Sequence, residues 1–318
     1  MMEDIPLLAF CIPTYNRASF LKISLESYVT NEAFDGDVEI IISDNASTDE
    51  TQTVGEYYAS KYANIRYFRN GENIHDANFP LALDRATAHY AKLMNDNMPI
   101  ATGGIRYIKE CLRKHIAEKP PIFFVGVRIR PFRNDDEIVC YKFEDFVVNM
   151  SRWVTGIAQF GAWKEHWEKV ENPTKYAKLQ LSQDDWAYQI VEKEKQAVLL
   201  TGAFFQKKLT LPKKGGYNWF QVQVDNYYKI LQTYIDKGLV SKVGVIKEKN
   251  NFVQLAMPWI AQVYWLPVFP NWDFDTKGTT KILWKHFKKT FFIYFVFFTL
   301  PIWGTLLYIK TKICMNKN

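Results

Sequence analysis

The residues of the first hundred positions that could do chemistry gather in three short polar loops. Asn95-Asp96-Asn97 closes an apolar stretch through Leu93 and Met94 with one carboxylate between two amides. Ser43-Asp44-Asn45-Ala46-Ser47-Thr48-Asp49 follows the apolar run 38–42, and Pro13-Thr14-Tyr15-Asn16-Arg17 follows another at 6–12. Carboxylates, amides and a guanidinium are groups that hold a nucleotide. A glycine-rich phosphate cradle is missing, with neither GxGxxG after the first run nor GxxxxGK[ST] anywhere. A diphosphate held without such a loop calls for a divalent cation, and a hard cation takes carboxylate oxygens. Asp96 is the candidate metal ligand, for Mg²⁺ or Mn²⁺.

The elements that must position these loops alternate. Residues 6–12, 38–42, 65–68 and 90–94 read as strands, the first apolar throughout and the second apolar but for Glu39, as expected of strands covered on both faces. Helical patterns lie between them, the first through Phe20, Leu21, Leu25 and Tyr28, with Ser19 as its cap. Four strands and three helices in fewer than a hundred residues predict an α/β, doubly wound, mostly parallel sheet. Ligands of such sheets bind beyond the carboxyl ends of the strands. All three polar loops follow strand ends, so one crevice can collect them.

At Ile12-Pro13-Thr14-Tyr15-Asn16-Arg17 and Ile42-Ser43-Asp44-Asn45-Ala46-Ser47-Thr48-Asp49 the chain resembles the inverting family 2 glycosyltransferases of GT-A fold. Asn73-Ile74 followed by Asn78 is similar to the loop and helix before that family's metal motif. The likeness covers residues 6–100 and is diffuse beyond them. Within the family it is closer to bacterial O-antigen and capsule enzymes of the abequosyltransferase-like type. The resemblance implies that Tyr15 lies against the nucleobase and that Asp44, beside Asn45, accepts a hydrogen bond from the base edge. It also implies that the backbone of Pro13 and Thr14 lines the base pocket, that Arg17 belongs to the same donor site, and that Asp96 holds the metal. The family's usual Asp-x-Asp is depleted here: Asn95 stands where a carboxylate would face the ribose or a metal-bound water. One carboxylate with substrate phosphates still holds Mg²⁺, and a weaker metal affinity is expected.

An inverting transfer needs one general base for the acceptor hydroxyl. The resemblance implies an acidic pair at the start of a later helix, which Gln183-Asp184-Asp185-Trp186 matches, with Asp185 as base and Asp184 as runner-up. Acids favoured at a helix N-terminus by its macrodipole are the structural alternative. Trp153-Val154-Thr155-Gly156-Ile157 resembles the segment that enters the family's acceptor side. Trp163 and Trp167 are expected to be buried rather than stacked on sugar. Arg128, Arg130 and Arg133 read as a solvated edge in preference to a phosphate contact. The segment 213–220 reads as a basic glycine turn ending in aromatics, and helices are expected at 222–234 and 246–264.

Composition sets the remaining bounds. With 318 residues, 48% of them hydrophobic, the chain can bury a large core. The net charge of +6 is uneven: seven lysines and no acid lie from residue 281 onward, leaving 6 − 7 = −1 for residues 1–280. That pattern excludes a nucleic-acid footprint spread over a domain and marks a basic tail. The four cysteines show no metal or CxxC spacing and fit a reducing compartment. The acidic N-terminus reads as no signal peptide. Lys281, Lys285, Lys288 and Lys289 share one helical face, with Ile282, Trp284 and Phe287 on the other, a pattern for a helix on an anionic membrane surface. Residues 290–309 carry no charge and are long enough to span a bilayer. Lysines on both flanks favour a re-entrant or in-plane hairpin broken at Pro301 over a single span.

The expected organisation is a nucleotide-sugar-binding half (1–120), an acceptor-binding half of the same domain (121–225), a helical extension (226–275) and a membrane-associated tail (276–318) that contacts the membrane through 281–312. The expected function is inverting transfer of a sugar from a nucleotide-sugar donor to a lipid-linked glycan acceptor, in surface-polysaccharide synthesis at the cytoplasmic face of the membrane. Its rivals are a nucleotidyltransferase and a membrane protein that binds sugar nucleotide without turnover.

Overall fold

The computed structural model describes residues 5–126, 137–202, 204–205, 209, 214–264, 268, 272–290 and 294. The elements run β1 (Leu8–Thr14), α1 (Ala18–Val29), β2 (Val38–Asp44), α2 (Thr51–Lys61), β3 (Ile65–Arg69), α3 (Asn78–Asp84), β4 (Tyr90–Leu93) and α4 (Gly104–His115). There follow β5 (Ile122–Gly126), β6 (Glu137–Cys140), α5 (Phe143–Met150), β7 (Gly161–Trp163), α6 (Lys164–Trp167), α7 (Ser182–Glu194) and β8 (Ala197–Gly202). The last are β9 (Lys214–Asn218), α8 (Tyr227–Asp236), α9 (Lys242–Tyr264), β10 (Trp272–Asp275) and α10 (Thr279–Phe287). The chain forms two compact units, Met1–Phe146 with Trp153–Thr210, and Val147–Arg152 with Leu211–Asn318. Contacts thus divide it at 146, 152 and 210, whereas the sequence suggested lines at 120, 225 and 275.

The first unit is built on a five-stranded sheet of order β3-β2-β1-β4-β7. Its first four strands are parallel and β7 runs antiparallel to β4. Every residue of β2 and all but Pro13 of β1 are buried, which is why both are dominated by apolar residues. The helices pack by their apolar stripes: α1 buries Leu21, Ser24, Leu25 and Tyr28, at helical spacing. The strand order reverses at β1, with β2 and β3 on one side and β4 on the other, so a crevice opens past its carboxyl end. A second sheet of the same unit has the order β5-β8-β6. Trp163 and Trp167 are buried, as expected.

Ser19 does not cap α1. The backbone N–H of Ala18 is taken by the Asp49 carboxylate at 3.2 Å, and the other oxygen of Asp49 accepts from the N–H of Thr51 at 3.0 Å. One side chain from the second loop therefore serves the starts of both α1 and α2, a contact invisible to local capping rules.

The second unit has a parallel pair, β9 with β10, and helices α8, α9 and α10. Residues 214–218 are thus a strand rather than the glycine turn expected; Lys213 lies outside the described residues. A π-helical stretch, Gln221–Asn226, leads into α8. Arg152 is buried over two stacked indoles, its guanidinium carbon 4.2 Å from the Trp259 ring centre and 5.5 Å from that of Trp219. Burial lowers its pKa to about 10. Glu248 is fully buried and accepts from the hydroxyls of Ser151 (3.1 Å), Tyr227 (2.9 Å) and Tyr228 (2.7 Å). Burial outweighs those bonds and pushes its carboxyl up to about 7.

On α10, Leu283 and Phe287 are buried while Trp284 is half exposed, among the exposed Lys281, Lys285, Lys288 and Lys289. Phe287 therefore belongs to the core and not to a membrane-facing side, because i, i+4 spacing places it with Leu283. No described helix is long and apolar enough to cross a membrane. The uncharged stretch 290–309, apart from Thr290 and Tyr294, lies outside the described residues, as do Arg128, Arg130 and Arg133.

Candidate functional site

Strand register brings the first and third loops together. Thr14 pairs with Asp44 across β1 and β2, and Cys11 pairs with Leu93 across β1 and β4. Extending that parallel register by three residues sets Asp96 beside Thr14. The Met94 N–H bonds the Cys11 carbonyl at 2.8 Å, and the Thr14 hydroxyl donates to Asp96 Oδ2 at 3.0 Å. Arg17 Nη1 stands 3.5 Å from Asp96 Oδ1. The Asp96 carbonyl is fixed by the Ser24 hydroxyl of α1 at 2.7 Å.

A cavity of about 510 Å³ opens at this corner. Pro13, Thr14, Tyr15, Arg17, Asn45, Asn95 and Asp96 line it, so seven of the residues singled out from sequence meet in one wall. Tyr15 is 42% exposed, free to meet a flat ring. Asn73, His75, Asp76, Asn78, Phe79, Met94 and Ile157 also line it. Asn45 is immobilised: its amide nitrogen donates to Asn73 Oδ1 at 2.8 Å, and its Oδ1 accepts from the Ile74 N–H at 2.9 Å.

Asp44 is absent from that wall. It is fully buried, with Oδ1 accepting from the N–H (3.0 Å) and hydroxyl (2.5 Å) of Ser47 and Oδ2 accepting from the Tyr67 hydroxyl (2.6 Å). Ser47 also takes the Asn16 N–H at 2.9 Å, which ties the second loop to the first. Tyr67 reaches Asp44 across α2 at Gly55, where a Cβ would lie 2.2 Å from the tyrosine ring. Asp44 is thus the anchor of both loops.

Asp184 and Asp185 are also outside the cavity wall, buried in the first turn of α7. Asp185 Oδ2 accepts from Gln189 at 2.8 Å. Neither oxygen of Asp184 has a hydrogen-bond partner among the described residues. Burial, and then the charge of Asp185, push its carboxyl well above the ordinary range. The turn Ala177–Leu179 just before α7 packs against His75–Ala77, which supplies His75 and Asp76 to the cavity.

Asp76 is a site residue that sequence reasoning missed. It lines the cavity and burial raises its pKa, with His75 partly opposing. Only its place between Asn73 and Asn78 hinted at it. Among the described residues no group of three His, Cys, Asp or Glu side chains could hold a metal alone. The candidate donor set in the wall is instead the Asp96 carboxylate, with the Asn95 amide beside it. Asp76 lines the same cavity, so the wall holds two carboxylates; hard oxygens of this kind suit a divalent cation that takes its remaining ligands from diphosphate and water.

Residues 9–98 match the family model described as Glycosyl transferase family 2. The abequosyltransferase RfbV of Salmonella typhimurium is 36% identical over 108 residues, 33% of this chain and 32% of that protein. The GalNAc(5)-diNAcBac-PP-undecaprenol beta-1,3-glucosyltransferase of Campylobacter jejuni is 30% identical over 105 residues, 31% and 32% of the two chains. The chain thus spans about a third of the length of the curated relatives it matches. Among solved structures, S. aureus TarS 1–349 in complex with UDP superposes with a TM-score of 0.51 at 12% identity, covering 81% of this chain and 73% of that one. The mannosyltransferase PcManGT from Pyrobaculum calidifontis, in complex with GDP-Man and Mn²⁺, gives 0.51 at 14%, covering 83% and 77%. The fold is α/β and GT-A-like, with a mixed, mostly parallel sheet.

Proposed function

Since residues 9–98 carry a family 2 glycosyltransferase domain, we propose that the chain transfers a sugar, with inversion, from a nucleoside-diphosphate donor to a hydroxyl of a lipid-linked glycan. The reaction would serve bacterial surface-polysaccharide synthesis at the cytoplasmic membrane face. The observation that carries the reading is the cavity past β1 and β4, where Tyr15, Arg17, Asn45 and Asp96 meet. Tyr15 offers its ring to the base and Asn45 is the rigid amide of the same wall. Arg17 presents a cation to the phosphates. Asp96 would hold Mg²⁺ or Mn²⁺, which would supply further positive charge to the leaving diphosphate.

The acceptor hydroxyl gives its proton to the Asp185 carboxylate as its oxygen attacks the anomeric carbon. The new glycosidic bond forms while the bond to the β-phosphate oxygen breaks, and the nucleoside diphosphate leaves with the electron pair. No acid is needed on the leaving side. Support for Asp185 is its place at the head of α7, close in sequence to the turn that packs on the cavity's His75–Ala77 rim. Burial and the charge of Asp185 raise the Asp184 pKa, which disfavours a second negative charge beside the base.

Nucleotide sugars scored by thermal shift with and without Mn²⁺ identify the donor, since a ligand that binds the folded state raises its melting point. Asp96→Ala should abolish the Mn²⁺-dependent part of that shift. Asp185→Asn should keep donor binding while lowering kcat by about 10²–10⁴-fold. Full transfer activity in both variants would sink the assignment. The burial of both α7 acids favours one second reading, donor binding without transfer; donor-induced stabilisation with no turnover on any acceptor would establish it.

A further inference from the structure

A second polar cavity, of about 370 Å³, lies wholly within the second unit. The π-helical stretch and α8 contribute Asp225, Tyr228, Lys229 and Gln232, α9 contributes Lys249, and α10 contributes Lys285 and His286. Three lysines face one carboxylate, and that carboxylate is already committed. Asp225 Oδ1 bonds Lys285 Nζ at 2.5 Å and His286 Nε2 at 2.7 Å, and Oδ2 accepts from Gln221 at 3.0 Å. Although its partial burial opposes this, these bonds hold its pKa down to about 2.

Lys229 and Lys249 have no ion-pair partner among the described residues. Lys229 is exposed at the rim, and Lys249 is half-buried with its ammonium 5.2 Å from the Tyr228 ring centre. Burial lowers the Lys249 pKa, Glu248 opposes that, and Lys289 adds like-charge repulsion. Tyr228 is fixed as the floor, its hydroxyl bonded to Glu248 and its ring stacked on His286 at 4.8 Å. Cationic groups on three helices thus converge on one hollow, where a tetrahedral anion would relieve their repulsion.

We propose that this cavity binds a phosphate group, supplied by the headgroup of an anionic membrane lipid. The lipid source follows from α10, whose exposed surface beside the cavity carries Trp284 with Lys281, Lys285 and Lys288. An indole among lysines is the composition of a membrane–water interface. The inference rests on the membrane-face reading above and not on the transfer chemistry.

The test is co-sedimentation of the full chain with phosphatidylcholine vesicles, with and without phosphatidic acid. Phosphatidic acid should strengthen binding. Lys249→Gln and Lys229→Gln should each cut that gain by about fivefold, the contribution of one well-placed lysine. Lys247→Gln, on the same helix but outside the cavity, should change it by less than about twofold, and Lys249→Arg should retain it. An equal loss in Lys247→Gln overturns the cavity in favour of general surface charge. Inorganic phosphate stabilising the protein against heat in a Lys249-dependent way, with no gain from phosphatidic acid, overturns the lipid source. Failure to bind vesicles of either composition overturns the membrane-face reading itself, and the donor-induced thermal shift, which Lys249→Gln should leave unchanged, is read separately.

Discussion

Asp44 at the end of β2 and Asp184 at the head of α7 are both fully buried carboxylates in the first unit, and they are treated in opposite ways. Asp44 receives three donors, from Ser47 twice and from Tyr67. Asp184 receives none among the described residues, and burial with the adjacent Asp185 raises its pKa. A satisfied buried carboxylate locks loops in place, while an unsatisfied one carries a desolvation cost of about 1–3 kcal/mol that the fold tolerates without return. Asp44 therefore reads as the fixed corner that ties the first two loops together. The start of α7 reads as a place where stability has been given up.

The largest test of that contrast is Asp44→Ala, which strands the donors of Ser47 and Tyr67. It should lower stability by about 3–5 kcal/mol, the cost of removing one partner from a buried charged network, and weaken the donor-induced thermal shift. Denaturant titration measures the first effect. The contrast fails if Asp184→Ala costs as much.

A comparable effect comes from pH, through Glu248 in the second unit. Its folded value is about 7 against 4.5 for the unfolded group, so the folded chain binds that proton more tightly. The contribution is fully present below 4.5 and is lost as pH rises to about 7, amounting to about 3 kcal/mol over the window. Asp184 shifts in the same direction. Thermal unfolding followed from pH 4 to 8 (a range of roughly the two titrations) should show this loss, and Glu248→Gln should flatten it.

Gly55→Ala sharpens the Asp44 side of the comparison without touching the carboxylate. The added Cβ falls 2.2 Å from the Tyr67 ring, so the tyrosine must move off Asp44. Overpacking of about 1–3 kcal/mol, partly offset by about 1 kcal/mol of helix propensity, should leave a net loss near 1 kcal/mol. Chemical denaturation should show no such loss in Gly55→Ala combined with Tyr67→Phe if ring displacement, rather than the lost hydrogen bond, is harmless. Smallest of all, Asp184→Asn removes a buried carboxyl whose pKa is raised, so it should not destabilise the protein at neutral pH, which denaturant titration would check.

Much of the donor corner was legible because it is local. Apolar runs ending in polar loops mark parallel strands, and strand register alone then sets Asp96 beside Thr14. Residues whose roles depend on distant partners were not legible. Gly55 looks like a flaw in α2 until Tyr67 is seen lying across it. Asp44 looks like a ligand because its type and position suit one, and its second task, joining Ser47 to Tyr67, is visible only in the fold. Asp76 sits in a turn whose composition is ordinary. Residues 214–218 read as a turn because Gly-Gly does so locally, whereas pairing with Trp272–Asp275, more than fifty positions away, makes them a strand. Phe287 was misplaced for the same reason, its neighbours on α8 and α9 being far off in sequence.

The six residues Val147–Arg152 belong to the second unit although the first unit continues on both sides of them. Ser151 is 97 residues ahead of Glu248. On a ribosome adding 5–20 residues per second, it emerges roughly 5–20 s before its partner exists. For that interval a guanidinium meant for two indoles and a hydroxyl meant for a buried acid stay in water or with a chaperone. Maturation of the second unit is thereby tied to completion of nearly the whole chain, and a single cut after residue 210 would part it from six of its own residues.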